Sequence, residues 1–535
     1  MTSQVLIPIA TILSTYVLFQ LTKVLYEELT SPLRNLPGPN GANILLGHFQ
    51  YIDEHANITR EWREDFRANF QFRGLFYKRE LYTADTKALN HILTDSYLYQ
   101  KGTVSRTLVT HFLGNGLLAV EGDEHKHQRK IFNPAFSMGQ IREVTEIFNQ
   151  KSRELRDIWT RQIAQEAGTA RIDVFAWLRK MTLDVIGAAG FDYQFDAMDP
   201  EGQPNELNEV FTKLLHSPQS QRRATLRVAQ ASIPMLRIFP LPGNKTVHGA
   251  RSKMFEIGNQ LLSDSKAALK AGGGEKTVKG RDLLSIMVKA NMSTDIPEQQ
   301  RLSDTDVVAQ IPTFLVAGHE TTSTATAWAL HALSINPGVQ TKLREELLSV
   351  PTDDPTMDEL NSLPYLENVV RESMRLHAPV AFTTRTAMDD DVLPLNRTYV
   401  NRHGNRYDSI PIRKGTVIRI PIGDVHRDKE IWGQDAATFR PERWDNIPEA
   451  AAGIPSVWSN LMTFIAGPHN CIGFRFSLVE MKALLFALIR AFEFGAAVPE
   501  ADIECTSTPV QRPVLHGEPE KGSQLPLIVT PFVRG

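Results

Sequence analysis

The stretch FIAGPHNCIG, from Phe464 to Gly473, is the segment from which the fold can be predicted. It places Cys471 in a loop whose glycines, Gly467 and Gly473, permit a tight backbone path and a close approach to a bulky group. The apolar residues that follow recur in steps of three and four, as on one face of a helix: Leu478, Met481, Leu485, Leu488 and Phe492. The sequence therefore predicts that Cys471 lies just before a buried helix, whose positive N-terminal end favours thiolate over thiol.

These residues alone leave two interpretations of Cys471 open. A free cysteine is most often a small apolar core residue, whereas a thiolate presented on a glycine loop is a metal ligand or a nucleophile. The chain has one other cysteine, Cys505, and a disulfide would consume the proposed ligand, so we expect both thiols to be reduced. No CxxC, HExxH or P-loop pattern offers competing metal or phosphate chemistry.

The order Phe, two residues, Gly, three residues, Cys, one residue, Gly resembles the signature of the cytochromes P-450, the haem-thiolate monooxygenases. This resemblance extends from the residues numbered in the thirties to the C-terminus, as one large domain. It implies a mainly α-helical fold with small β-sheets, and a haem b (iron protoporphyrin IX) whose iron is bound by Cys471. Phe464, Gly467 and Gly473 would then shape the haem-binding loop. The family usually has arginine, bound to a haem propionate, where this sequence has His469, whose charge is weaker and pH-dependent.

Two further segments resemble family elements that hold the haem propionates. GDEHKHQRKIFNPAF, from residue 122, matches a helix with Trp and Arg one turn apart; here the two positions are His125 and Arg129. A solvated helix start is the alternative for HKHQRK. VAFTTR, from residue 380, matches a strand beside the haem, so the resemblance assigns Arg385 to a propionate, with an ordinary exposed arginine as the alternative.

A long apolar helix is predicted from Ser303 to Ile335, and its middle carries the polar motif AGHETT, which begins at Ala317. A buried carboxylate such as Glu320 is costly, and paired threonines are poor helix formers, so the interruption points to function. The alternative is that Glu320 lies on a solvated stripe and Thr321 donates back to the carbonyl of Ala317.

AGHETT resembles the oxygen-binding motif of the cytochromes P-450. The resemblance implies that Ala317 and Gly318 make room for O2 beside a helix bulge, and that Thr321 and Glu320 deliver protons. Ala317 and Thr321, four residues apart, would share the face toward the haem, while Glu320 would point round the helix to a water path.

Three residues match the family's buried ion-pair cluster. They are Glu372 and Arg375, which have the spacing ExxR on one predicted helix, and Arg443 in the later segment FRPERW. We expect them to be structural, because losing one partner would strand a buried charge at a cost of about 3–5 kcal/mol. The resemblance also predicts pocket-lining loops around residues 99–118 and 506–510. The candidates for contact with substrate are Phe314, Val380, Ala381, Phe382 and Val510.

The N-terminus carries an apolar stretch, Val5 to Tyr26, with one charge, Lys23. As a helix it would be roughly 33 Å long, enough to cross a bilayer. A secretory signal fits less well because the stretch lacks a basic start and an obvious cleavage site, and an interfacial helix because it lacks a polar face. A buried globular helix is a further alternative, which the position at the extreme N-terminus disfavours. The organisation predicted is a membrane anchor, a proline-rich linker and a haem-thiolate catalytic domain, at residues 1–26, 27–45 and 46–535.

The net charge of −3 gives no sign of a nucleic-acid surface. No Lys or Arg precedes the apolar stretch, while Lys23 and Arg34 follow it, so we expect the catalytic domain to lie on the cytoplasmic side of the membrane. The resemblance implies an oxidoreductase, a single-pass protein of the endoplasmic reticulum membrane. It would insert one atom of O2 into a lipophilic small molecule, by hydroxylation or epoxidation, in secondary metabolism. NADPH would supply electrons through a separate cytochrome P-450 reductase. The alternatives are a haem-thiolate isomerase or dehydratase, or a non-catalytic haem-binding protein.

Overall fold

The computed structural model describes residues 25–55, 57–166, 168–199, 224–232, 244–271, 282–292, 301–506 and 510–533, with seven positions between 11 and 22. The described residues are mainly helical with small β-sheets, as predicted. The helices, in chain order, are α1 Phe49–Glu54, α2 Ile58–Phe66, α3 Thr86–Thr94, α4 Thr103–Leu113, α5 Gly122–Phe132, α6 Met138–Gln165, α7 Val174–Phe191, α8 Ala224–Ser232, α9 Asn244–Ala271, α10 Leu283–Met292, α11 Asp304–Ser334, α12 Pro337–Leu348, α13 Met357–Asn361, α14 Pro364–Leu376, α15 Ile422–His426, α16 Lys429–Trp432 and α17 Phe474–Ala491.

Short strands complete the architecture. They are β1 Asn69–Arg73, β2 Arg79–Thr83, β3 Tyr99–Gln100, β4 Ala170–Asp173, β5 Thr383–Ala387, β6 Asp391–Val400, β7 Arg406–Ile412, β8 Val417–Ile420, β9 Phe492–Ala496, β10 Ile503–Cys505, β11 Pro513–Leu515 and β12 Pro526–Pro531. The chain divides into two compact units. The first comprises residues 1–102 and 382–421, and the second comprises residues 103–381 and 422–535.

A five-stranded sheet in the order β1-β2-β8-β5-β3 organises the first unit, and only the β2–β8 pair is parallel. Phe70 and Tyr82 face each other across β1 and β2, with their stacked rings 4.2 Å apart. Both side chains are fully buried, so an aromatic cross-strand pair contributes to the core of this sheet. β6 and β7 form a separate antiparallel hairpin.

The proline-rich segment predicted as a linker is packed into the first unit. Leu33 and Leu36 are buried, and the backbone N–H of Gln71 in β1 donates to the carbonyl of Pro37. Upstream, Glu28 accepts hydrogen bonds from the guanidinium groups of both Arg73 and Arg79. This ion pair lowers the pKa of the Glu28 carboxyl although burial opposes the shift. Much of residues 27–45 is therefore part of the fold rather than a free connector.

Most of the apolar stretch predicted as a membrane anchor lies outside the described residues. Where the structure does describe the chain, it contains no helix of sufficient length and apolar character to span a bilayer.

The second unit is built around α11, which packs against α7, α9 and α17. Ser303 caps this helix in a reciprocal capping box with Asp306, so the helix begins and ends within one residue of its predicted limits. Pro312 lies inside without ending the helix. α17 follows the cysteine loop as predicted, but Phe492 begins β9 instead of continuing the helix. Three-stranded (β4-β12-β9) and two-stranded (β10-β11) sheets complete this unit.

One segment predicted as a pocket loop is helical. Residues 103–113 form α4 within the stretch 99–118. The sequence TVSRTLVTHFL is rich in β-branched residues, which lower intrinsic helix propensity, and no polar N-cap marks its start. Tertiary contacts with α8 and α11 supply the stabilisation instead. Of residues 506–510, only Thr506 and Val510 are described.

Candidate active site

The cysteine loop is closed by its own backbone. The N–H of Cys471 donates to the carbonyl of Phe464 over 2.9 Å, and the N–H of Asn470 donates to the carbonyl of Gly467 over 3.1 Å. Gly467 has φ 73°, a conformation that favours glycine. Cys471 is solvent-exposed at the end of this loop, although free cysteines are usually among the most buried residues.

The backbone conformation of Gly473 does not require glycine, although the resemblance implies that both glycines shape the loop. Its φ is −89°, and a Cβ built there would lie in ordinary contact, 3.5 Å from the Phe136 ring. The protein atoms therefore require glycine at Gly467 but not at Gly473.

Arg129 reaches the cysteine loop from α5. Its guanidinium donates to the backbone carbonyl and to the side-chain oxygen of Asn470, while Nε donates to Asn133 over 3.0 Å. Crowding of the sulfur by protein atoms raises the pKa of the Cys471 thiol even though the residue is accessible; the Gly473 N–H and the Arg129 charge lower it only in part. The N–H of Gly473, at the end of the helix, acts in the predicted direction, toward the thiolate. A metal cation bound at sulfur would reverse the balance.

His125 and His469, the two residues that replace the family's usual Trp and Arg, are in contact. Their ring centroids lie 3.8 Å apart, with 33° between the ring planes. His469 Nε2 lies 3.0 Å from the Oε2 atom of Glu121, whose side chain is almost fully buried. The two substitutions therefore form one cluster with an acid that sequence reasoning did not identify.

Beyond its first turn, the long helix α11 is accessible at one place. From Val307 to Ser334 every residue is buried except Val316, Ala317, Gly318 and Thr321. Ala317 is the most exposed of these positions, and Thr321 Oγ1 donates to its carbonyl over 2.8 Å. Ala317 and Thr321 therefore share one accessible face, and the back-bonding considered as an alternative is present at the same time.

Gly318 has a packing role that sequence reasoning did not assign. A Cβ at this position would lie 2.9 Å from Cγ1 of Ile186 in α7, closer than real Cβ contacts. The glycine therefore permits the close approach of α7 and α11. α11 is α-helical from Asp304 to Ser334, so the bulge implied by the resemblance is not seen.

Glu320 is not on a solvated stripe, because its carboxylate faces basic side chains. Its side chain is 2% exposed, and Oε2 accepts a hydrogen bond from Arg512 Nε over 2.9 Å. His319 Nε2 and Arg179 Nε lie 3.1 Å and 3.8 Å from Oε1. The solvated-stripe alternative is therefore wrong, because the buried carboxylate is held in an ion-pair cluster.

α11 and α17, which carry AGHETT and follow Cys471, are joined by a polar contact. Thr322 Oγ1 donates to Ser477 Oγ over 3.1 Å. Glu480, one turn further along α17, is fully buried, and burial raises its pKa well above the ordinary value although Thr322 opposes the shift. A carboxyl within an otherwise apolar run was a visible signal in the sequence, but its position in the fold was not predictable.

The substrate-pocket candidates of the second unit occupy different environments. Val380 forms an isolated antiparallel bridge with Val510, and the Ala381 carbonyl accepts the N–H of Gly423 over 2.9 Å. Phe314 is buried in an aromatic cluster, with its ring 5.2 Å from that of Phe132. The structure thus brings Val380 and Val510 together and places Phe314 in the core.

Phe382 and Arg385 belong to the first unit. The Arg419 guanidinium lies 3.6 Å above the Phe382 ring. Arg385 is 4% exposed, and its Nη1 donates to Thr383 Oγ1 over 3.1 Å and to the Thr384 carbonyl over 2.8 Å. It is therefore not an ordinary exposed arginine.

Glu372, Arg375 and Arg443 form a buried cluster. Arg375 donates through Nε and Nη2 to both carboxylate oxygens of Glu372, over 2.9 and 2.8 Å. Arg443 Nε donates to Glu372 Oε1 over 3.3 Å, and Trp444 Nε1 donates to Oε2 over 3.1 Å. Arg375 also donates to the backbone carbonyls of Ala436 and Thr438, in the segment that follows α16. Such satisfied burial is typical of a structural ion-pair network.

These residues fit a haem bound through sulfur. An accessible cysteine, a single accessible face on a buried helix, and Arg129, His125 and His469 beside the cysteine loop provide a ligand, an apolar wall and hydrogen-bond donors. Among the described residues, no group of three or more His, Cys, Asp or Glu side chains could hold a metal. Iron at Cys471 would receive its remaining ligands from the porphyrin, as in haem proteins.

Comparison with known proteins identifies the family. The sequence model of the cytochrome P450 family matches residues 36–516. The chain is 50% identical over 509 residues to cytochrome P450 monooxygenase 205 of the fungus Postia placenta, covering 94% of each chain. It is 49% identical to monooxygenase 128 of the same fungus, covering 96% of each, and 35% identical to monooxygenase claO of Ampulloclitocybe clavipes, covering 94% of this chain and 93% of that one. The chain therefore belongs to the cytochrome P450 family and is an oxidoreductase of the monooxygenase class.

Proposed function

We propose that this protein inserts one atom of O2 into a lipophilic small molecule, by hydroxylation or epoxidation, in fungal secondary metabolism. The observation that carries the proposal is the accessible face formed by Ala317 and Thr321 on a helix that is otherwise buried around it. The polar contact of Thr322 with Ser477 packs this helix against the one that begins just after Cys471. The similarity to fungal monooxygenases supports the metabolic setting.

A haem bound at Cys471 supplies O2 activation, and the thiolate ligand donates the electron density that favours O–O cleavage. Arg129, His125 and His469, all in the second unit, are the residues that would bind its propionates. Arg129 is well suited because a guanidinium binds carboxylates in a bidentate manner. It lies within hydrogen-bonding reach of the residue next to Cys471.

Thr321 and Glu320 carry the proposed proton delivery. Because Thr321 Oγ1 donates its own proton to the Ala317 carbonyl, the lone pairs of this oxygen are left to accept a hydrogen bond from a proton-carrying water. Glu320, the residue before Thr321, is the acid that we assign to the same step, and Arg512 fixes the position of its carboxylate.

The same proposal includes a membrane anchor within residues 1–26, a location in the endoplasmic reticulum membrane and a cytoplasmic catalytic domain. The apolar composition of Val5 to Tyr26 supports the anchor. Electrons would come from NADPH through a separate reductase. The exposed cations Lys126, Lys130 and Arg475, on the helices that flank the cysteine loop, offer a surface for an acidic partner.

Oxygen incorporation tests this function. Microsomes that contain the protein and a cytochrome P450 reductase should convert members of a lipophilic compound library to products with one added oxygen, labelled when oxygen-18 gas is supplied. Omission of NADPH should abolish the products. Rearranged or dehydrated products without label would instead support a haem-thiolate isomerase or dehydratase. Haem binding without any product from the library would support the non-catalytic alternative.

A further inference from the structure

Glu320 and Arg512 are joined although 192 residues separate them in the chain. Arg512 Nε donates to Glu320 Oε2 over 2.9 Å, and the two side chains are 8% and 2% exposed. Arg179 lies farther away, at 3.8 Å from the other carboxylate oxygen. The direct contact of Glu320 with a guanidinium is thus made by Arg512.

The backbone around Arg512 is itself fixed from several sides. The N–H of Arg512 donates to Thr506 Oγ1 over 3.1 Å, and its carbonyl accepts the N–H of Thr506 over 2.9 Å. The preceding residue, Gln511, accepts Trp328 Nε1 over 2.8 Å and donates its N–H to the Pro379 carbonyl over 2.9 Å. This segment is therefore held between helix α11, which carries Trp328, and the chain that leads to Val380.

Two residues before Arg512, Val510 pairs with Val380. Both valines are candidates for the substrate pocket, and both are partly exposed. Arg512 thus connects Glu320, next to Thr321, with the segment that carries these valines. An arginine suits such a connection because its charge persists when it is buried and its fork fixes direction as well as distance.

We infer that Arg512 is a positioning residue that fixes the Glu320 carboxylate and holds the Val510–Val380 pair in register with helix α11. The acid and this wall of the pocket then act as one unit, so a ligand that displaces Val510 also displaces the partner of Glu320. The inference rests on the proposed function in taking Glu320, Val380 and Val510 as site residues.

The first test is a double-mutant cycle in the haem-bound protein, with Glu320→Gln, Arg512→Gln and the double variant, read as thermal unfolding midpoints. We expect the double variant to be less destabilised than the sum of the single variants, because each single change strands a buried charge. Additive shifts would contradict the assignment of Arg512 as the partner of Glu320.

The second test measures the pocket without turnover. The affinity for 4-phenylimidazole, which binds haem iron, is followed by the optical shift in wild type, Arg512→Gln, Arg512→Lys and the control Arg344→Lys. Arg344 is a suitable control because it is also buried but donates to Gln340 and to backbone carbonyls near β9. We expect the affinity to change on the order of tenfold in Arg512→Gln, since small displacements of site residues have large effects, and Arg512→Lys to restore most of it.

An affinity in Arg512→Gln equal to that of wild type would overturn the inference, as would an equal change in Arg344→Lys, which would show a general loss of packing. If Arg512→Gln fails to bind haem, Glu320→Gln decides, because it removes the same ion pair from the other side: a changed affinity with an intact haem spectrum supports positioning, and an affinity equal to that of wild type contradicts it. Neither test requires oxygenation, so failure of the proposed reaction is distinguished from failure of this inference.

Discussion

The imidazole rings of His125 and His469 lie 3.8 Å apart beside the cysteine loop, and His469 also contacts the buried carboxylate of Glu121. In the wider family these positions usually hold Trp and Arg. In this protein the two histidines lie next to each other. Their rings are in contact, and Glu121 pairs with one of them. The cluster therefore has to be considered as one unit.

Replacement of His469 by Ala should reduce haem retention and destabilise the protein by about 1–3 kcal/mol, because the Glu121 carboxylate loses its partner while still buried. His469→Arg should retain haem better than His469→Ala, since a guanidinium can also pair with Glu121. The measurement is the ratio of haem absorbance to protein, together with the unfolding midpoint. His516→Ala, at an exposed position, is the control. Equal haem retention in His469→Ala and the control would contradict the prediction.

Arg375→Gln should destabilise the protein by about 3–5 kcal/mol or prevent its accumulation, because Glu372 would be left fully buried with fewer partners. The matched control is Arg142→Gln, which breaks an exposed ion pair with Asp358 and should cost no more than about 1 kcal/mol. Denaturant unfolding of both variants measures the difference. Similar losses of stability in the two variants would contradict the prediction, because the buried ion pair would then contribute no more than the exposed one.

Gly318→Ala should destabilise the protein by about 1–3 kcal/mol, because the new methyl group would overlap Ile186. Addition of Ile186→Val to Gly318→Ala should recover part of the lost stability, because the shorter side chain makes space for the new methyl group. Gly139→Ala, where nothing lies within 4 Å of the added Cβ, should be neutral or stabilising. Thermal unfolding distinguishes the three. A Gly318→Ala variant as stable as Gly139→Ala would contradict the packing role of this glycine.

His426 should make the protein sensitive to acid. Burial, with a smaller contribution from the Arg375 charge, lowers the pKa of His426 to about 3, and its Nε2 accepts the N–H of Met462. The unfolded chain takes up a proton near pH 6.5, whereas the folded protein does not until about pH 3. Between these values the unfolded state binds more protons, so stability falls as the pH falls, by up to about 1.4 kcal/mol per pH unit.

Urea unfolding at several pH values between 6.5 and 5 checks this slope. His426→Gln should make the slope shallower, while His331 and His377, whose pKa values burial also lowers, keep a slope of the same sign. His403→Gln, at an exposed position, should leave the slope unchanged. A wild-type slope in His426→Gln would assign the acid sensitivity to other groups.

Thr321→Ala should separate NADPH use from product formation. If Thr321 holds a proton-carrying water, its loss should raise peroxide release per NADPH and lower product per NADPH, because a positioned proton-transfer group contributes about 10²–10⁴-fold to the rate of its step. Thr326→Ala is the control, because Thr326 makes the same kind of bond, to the Thr322 carbonyl over 2.9 Å, in a fully buried part of the helix. Unchanged coupling in Thr321→Ala would favour a protein that does not activate O2.

Local patterns in the sequence predicted a large part of this fold. The apolar period after Cys471 and the Ser303 cap were sufficient to place α17 and α11, since both signals lie within the helices themselves. The Glu372–Arg375 pair could be predicted for the same reason, because both residues lie on one helix. The helix Thr103–Leu113 was missed because its β-branched residues conceal a helix that tertiary contacts stabilise.

The partners of the site residues were not predictable, because they come from distant parts of the chain. Arg512 pairs with Glu320 across 192 residues, and nothing in the local sequence of either marks the other. Glu121 likewise reaches His469 only through the fold. Periodicity assigns a side chain to a face of a helix, but which charge meets it there is decided by packing.

The central claim is that Cys471 binds the haem iron, and the absorption spectrum of the reduced, carbon monoxide-bound protein tests it most directly. Wild type and Cys505→Ser, which keeps the proposed ligand, should show the red-shifted band of a thiolate-ligated haem. Cys471→Ser should lose that band even where haem is retained. The same red-shifted band in folded, haem-loaded Cys471→Ser would contradict the account.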